Sequence, residues 1–121
     1  MQEKKWGRVI TLGSVNQYNN HPQLLIYGVT KAAQYKMIEG IAKAVAKDGV
    51  TVNNIAPGAV STPRNAAVSA DEKQLDAVLR KIPIGYMGSA DDMNGIVLLL
   101  CSDEGRYITG SEIIADGGMR L

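Results

Sequence analysis

The sequence is poor in the residues that build metal sites and disulfides: it holds one histidine, His21, and one cysteine, Cys101. A single thiol forms no intrachain disulfide, and one histidine beside it leaves no ligand set for a structural zinc or other transition-metal site. His21 precedes Pro22, which favours a surface loop over a catalytic position, and Cys101 sits in the apolar run GIVLLLCS, which predicts a buried thiol. An excess of charge of one sign is also lacking. Thirteen basic residues face twelve acidic ones, a formal net charge of +1, so neither a nucleic-acid partner nor a polybasic membrane patch is expected. Long hydrophobic runs are absent too: the longest, Ile96 to Cys101, is far below membrane-spanning length. MQEKKWGR at the N-terminus is not the apolar core of a secretory signal, so the expected compartment is the cytoplasm.

What is present describes one soluble unit. The 121 residues are 45% hydrophobic and 21% charged, enough for one domain with a core and too few for two, with no repeat or linker. RVITLGS, Arg8 to Ser14, is short, apolar and β-branched, and predicts a strand buried on both faces, as in a parallel sheet. Ile38, Ile41, Ala42 and Val45 recur at helical spacing and predict an amphipathic helix from about Tyr27 to Asp48, stopped at Gly49. VTVNNIAPG, Val50 to Gly58, predicts a second strand ended by a Pro-Gly break. Ser69 and Glu72 have capping-box spacing ahead of a helix that Pro83 and Gly85 close, and Ser89 with Asp92 precedes a helix from about Ala90 to Ser102, apolar enough to be well buried. SEIIADGG predicts a last short strand. The expected order is β-α-β-α-α-β, an α/β fold of Rossmann type with a parallel sheet between helices.

In such sheets ligands bind beyond the carboxyl ends of the strands. Ser14 ends the first strand, Pro57 to Thr62 follow the second, and the long helix starts at the same rim, so these residues can converge. Tyr27 and Lys31 are four apart and share one helix face. A free tyrosine, with a pKa of about 10, is a poor acid or base at neutral pH unless its phenolate is stabilised, and a lysine one turn away supplies a positive charge for that. Ser14 can hold the oxygen of an alcohol or carbonyl while Tyr27 moves the proton. Such a site needs a hydride carrier, because no side chain donates hydride.

Ser14, Tyr27 in YGVTK thirteen positions later, NNIAPGAVST and the final YITGSEIIADGG together resemble the second half of a short-chain dehydrogenase/reductase, over essentially the whole chain. The resemblance implies Ser14 as the substrate-orienting serine and Tyr27 as the general acid/base. It implies Lys31 as the lysine that lowers the tyrosine pKa and holds the nicotinamide ribose, and Pro57, Gly58, Val60 and Thr62 as the loop at the nicotinamide end of NAD or NADP. It further implies a small alcohol or carbonyl substrate, such as a sugar, a 3-oxoacyl thioester or a steroid, a variable substrate lid over about Pro63 to Pro83, and a homo-oligomer. Extended relatives with epimerase or dehydratase activity share Y-x-x-x-K, but the P-G-x-x-x-T loop and the short tail argue against them.

The family's Gly-rich pyrophosphate turn, its selector between NAD and NADP, its NNAG segment and its upstream catalytic asparagine have no counterpart in these residues. Residues 1–121 therefore read as a single partial domain without the N-terminal dinucleotide-binding half. The alternative to an active oxidoreductase is a truncated, inactive piece with a structural or oligomerising role. The strand before Ser14 would then carry an unpaired apolar edge that pairs with another copy, pairs with a complementary half, or aggregates.

Overall fold

The computed structural model describes residues 1–19 and 21–121; Asn20, at the end of the polar stretch after Ser14, lies outside them. Three strands, β1 (Gly7–Leu12), β2 (Val50–Pro57) and β3 (Glu112–Ala115), form one sheet in the order β1-β2-β3, every pair parallel. Helix α1 (Leu25–Val45) connects β1 to β2. Three further helices, α2 (Ala66–Ala70), α3 (Glu72–Leu79) and α4 (Asn94–Cys101), separate β2 from β3. Where one helix was expected before Pro83 there are two. Ser69 lies inside α2, and the cap of α3 is Asp71, whose carboxylate accepts from the backbone N–H groups of Lys73 and Gln74 at 3.0 and 3.2 Å. Ahead of α4 the Ser89 N–H and hydroxyl donate to Asp92 at 2.6 and 2.8 Å, but the helix expected from about Ala90 is a 3₁₀ turn over Asp91–Met93 followed by α4 from Asn94, and neither start carries a side-chain cap bond.

The alternation of a strand explains the core. Val50 and Val52 of β2 pack against Ile38 and Ala42 of α1, with Val9 and Val45 at the margin. Thr51, Asn53 and Ile55 face the other way and are buried as well, which is the signature of a strand covered on both faces. Asn53 is accommodated because its amide donates to the Ile108 carbonyl at 2.8 Å and its oxygen accepts from the Ser111 N–H at 3.1 Å, anchoring the loop that leads into β3. α1 tightens into a 3₁₀ turn over Ala46–Asp48 and ends at Gly49, φ 70°, where a Cβ would collide with the Lys5 carbonyl oxygen.

Three expectations about burial fail, the first in β1, where Gly7 alone is buried and Leu12 is 59% exposed although a strand buried on both faces was expected. Leu100 is fully buried, but Leu98 is 69% exposed and the Cys101 thiol is exposed, so α4 is covered along one flank only. β1, against which α4 rests, pairs with β2 alone and is an edge of the described sheet; nothing among the described residues extends over the outer flank of α4. The first strand is also shorter than its apolar pattern. It ends at Leu12 because, after the Gly13 N–H reaches the Ile55 carbonyl at 2.7 Å, the Ser14 hydroxyl captures the Asn16 N–H at 3.2 Å and turns the chain into a 3₁₀ turn over Val15–Gln17.

Candidate active site

Ser14, Tyr27, Lys31, Pro57, Gly58, Val60 and Thr62 all line one cavity of about 570 Å³ at the carboxyl ends of β1 and β2. Leu12 and Gly13 form its floor, and Ala90, Met93, Asn94 and Val97 close the side formed by the start of α4. Met93 reads as a packing residue in sequence, and Asn94 and Val97 carry no motif; their membership follows from how α4 lies across the sheet. Lys31 is the one charged side chain among the described lining residues.

Each polar group is held by a local device. Ser14 is 7% exposed, and its oxygen accepts from Asn16, which leaves its hydroxyl hydrogen free to donate into the cavity. The Lys31 ammonium donates to the Leu12 carbonyl at 2.7 Å and to the Gln34 side-chain oxygen at 3.2 Å, and lies 5.8 Å from the centre of the Tyr27 ring. Two of its three hydrogens are thus engaged. Among the described residues the Tyr27 hydroxyl has no hydrogen-bond partner. Tyr27 is held at the mouth because Gly28, buried behind it, lets α1 approach the turn after Ser14; a Cβ there would lie 2.7 Å from the Asn16 carbonyl. Gly58 has the same role on the other wall, with its Cβ position 2.7 Å from Asp116.

Behind Lys31 runs a polar network that the motif reading missed. The Gln34 amide donates to the Leu12 carbonyl at 3.1 Å and to Asn54 Oδ1 at 3.4 Å. Asn54, fully buried, also accepts from the Thr11 hydroxyl at 2.6 Å, and its amide donates to Glu112. Gln17 and Tyr18, from the turn after Ser14, donate to that carboxylate as well. Burial and the Glu112 carboxylate push the Tyr18 phenol up from its usual pKa. The turn bearing Ser14 and the helix face bearing Lys31 are thus tied through β2 and β3. The one sequence signal for this is NN inside an otherwise apolar strand, since buried amides require partners.

A parallel sheet flanked by helices, with a serine, a tyrosine and a lysine gathered at its carboxyl rim, defines the class, and comparison with known proteins specifies it. A family model described as enoyl-(acyl carrier protein) reductase matches residues 1–120. The chain is 37% identical over all its 121 residues to 3beta-hydroxysteroid dehydrogenase 1 of Eggerthella lenta, covering 46% of that protein. It is 36% identical over the same span to the 3-oxoacyl-[acyl-carrier-protein] reductase FabG of Salmonella typhimurium, covering 49%. Among solved structures it is similar to a short-chain type dehydrogenase/reductase from Mycobacterium ulcerans (TM-score 0.94, 28% identity, 100% of this chain and 44% of the other). It is also similar to a 3-oxoacyl (acyl-carrier-protein) reductase from Agrobacterium tumefaciens with NADP bound (TM-score 0.92, 38% identity, 98% and 46%). The chain belongs to the short-chain dehydrogenase/reductase family. It spans about half the length of the curated relatives it matches.

Among the described residues no helix is long and apolar enough to cross a membrane, and no group of three or more His, Cys, Asp or Glu side chains could hold a metal ion.

Proposed function

We propose that this chain carries the catalytic half of an NAD(P)-dependent oxidoreductase acting on a secondary alcohol or ketone. The observation that carries the reading is the meeting of all seven motif residues around one cavity, with Lys31 the one charged side chain among its described lining residues. That cavity fits the nicotinamide end of a dinucleotide. Lys31 keeps one ammonium hydrogen free for a ribose hydroxyl, Thr62 lends a hydroxyl, and Gly58 and Val60 would offer backbone groups from the cavity wall. When bound, the nicotinamide would supply the hydride on reduction and, in its oxidised form, accept it on oxidation. Ser14 donates a hydrogen bond to the substrate oxygen and orients it, and Tyr27 gives its phenolic proton to that oxygen on reduction or takes it on oxidation. Lys31, one turn along the same helix face, favours the negative charge that develops on the phenolic oxygen. Related proteins are named for steroids and for 3-oxoacyl-[acyl-carrier-protein].

The test is titration with NADH and NADPH followed by cofactor fluorescence, with the mass in solution recorded on the same sample. Saturable binding that Lys31→Ala weakens about tenfold, together with turnover that Tyr27→Phe abolishes, is the expected result; full turnover in the tyrosine variant would refute the mechanism. A second reading rests on the edge position of β1 and the half-length match to relatives. In it the chain is a single partial domain, active only beside the complementary half, and on its own a piece that self-associates. No binding by a folded, oligomeric sample would favour that reading. Homo-oligomerisation is part of both.

A further inference from the structure

A second cavity, of about 740 Å³, opens between the turn after Ser14, the end of α3 and the C-terminal segment. It is larger than the one holding Tyr27 and shares no lining residue with it, yet the two flank the same stretch of chain: Ser14 lines one, while Asn16, Tyr18 and His21 line the other. Its charged side chains are Arg80 and Lys81, and no Asp or Glu side chain is among its described lining residues. Neither cation forms an ion pair among the described residues, Asp76 one turn earlier on α3 included. A third cation, Arg120, stands beside the cavity with its guanidinium 5.0 Å from the centre of the Tyr18 ring. Two acids stand close to these residues and both are engaged: Glu112 binds Gln17, Tyr18 and Asn54, and the Asp116 carboxylate accepts from the Gly118 and Arg120 N–H groups at 2.9 Å.

Unpaired cations around a concave surface, with the Asn16 and Asn19 amides beside them, are the donor set that recognises an oxyanion. We propose that this cavity is a subsite for an anionic group, a carboxylate or a phosphate, carried by the substrate at the end away from the carbon that reacts at Tyr27. The proposal rests on the catalytic reading of Ser14 and Tyr27 for its link to turnover, but the subsite stands on its own lining. It selects acidic substrates, such as hydroxy or oxo acids and phosphorylated carbonyls, over neutral ones such as sterols.

The experiment is amide ¹H–¹⁵N chemical-shift titration of the full chain at constant ionic strength with sodium gluconate, with glucitol, which is the same polyol without the carboxylate, and with inorganic phosphate. Gluconate should shift the Asn16, Arg80 and Lys81 amides saturably, glucitol should not, and the double variant R80Q/K81Q should bind gluconate about tenfold more weakly while keeping the spectrum of a folded chain. Tyr27→Phe should leave gluconate binding intact, so a failed catalytic assignment would not disguise itself as a failed subsite. Phosphate binding as tight as gluconate assigns the oxyanion alone as the recognised group; weaker phosphate binding assigns a carboxylate with its polyol. Equal shifts with glucitol and gluconate, or unchanged gluconate affinity in R80Q/K81Q, would overturn the proposal.

Discussion

Replacing Gly28 by alanine tests whether the approach of α1 to the turn after Ser14 is as close as described. A Cβ at position 28 would lie 2.7 Å from the Asn16 carbonyl oxygen, about 0.7 Å short of ordinary van der Waals contact, which begins at 3.4 Å. The obstructing atom belongs to the backbone of a buried turn and cannot swing aside. Either the turn or the first turns of α1 must move, at a cost of about 1–3 kcal/mol for overpacking. Against this stands the gain of about 1 kcal/mol that alanine brings to a helix interior. The balance is a loss of about 1 kcal/mol. Gly40 supplies the control on the same helix: it is exposed, nothing lies within 4 Å of its Cβ position, and Gly40→Ala should therefore gain about 1 kcal/mol. For a chain of this length that is a change in melting temperature of about 4 °C in opposite directions. Urea and thermal unfolding of the two variants beside the parent measure it. If Gly28→Ala stabilises the chain as Gly40→Ala does, the turn after Ser14 does not press on α1, and the account of how Tyr27 is held near Ser14 is wrong.

Two further expectations concern packing and acid stability. On α4, Leu100→Ala should cost about 2–5 kcal/mol, because the side chain is fully buried, whereas Leu98→Gln should change stability by less than about 0.5 kcal/mol, because 69% of that residue is exposed; urea midpoints that move together would show that a further partner covers the outer flank of α4. Lys5 and Gln2 hold the Asp48 carboxyl below its usual pKa, hydrogen bonds from Gln74 and Lys73 at the cap of α3 do the same for Asp71, and those from Ser89 do so for Asp92. Groups whose pKa falls on folding stabilise the chain fully above their unfolded values, near pH 4, and lose that contribution as the pH drops through the lower folded values. The urea midpoint should therefore be flat from pH 7 to about 5.5 and fall below about 4.5, with a shallower fall in Asp48→Asn; an identical acid profile in that variant would remove Asp48 from the account.

The family-level pattern can be read from the residues alone: a serine, a tyrosine and a lysine at fixed spacing, a Pro-Gly break after an apolar strand, and parallel strands joined by a helix. These were legible because each is local. β-branched runs bounded by Gly and Pro make strands, Tyr27 and Lys31 share a helix face whatever surrounds them, and Gly49 stops α1 through its own φ of 70°. The rest depends on which surfaces meet, and that is a property of the folded chain. Met93 and Val97 join the cavity wall because α4 lies across the rim. Gln34, Asn54 and Glu112 become a brace because register sets Asn54 opposite Glu112. Cys101 and Leu98, as apolar in sequence as Leu100, are exposed because burial belongs to the neighbour that covers a face and not to the residue itself.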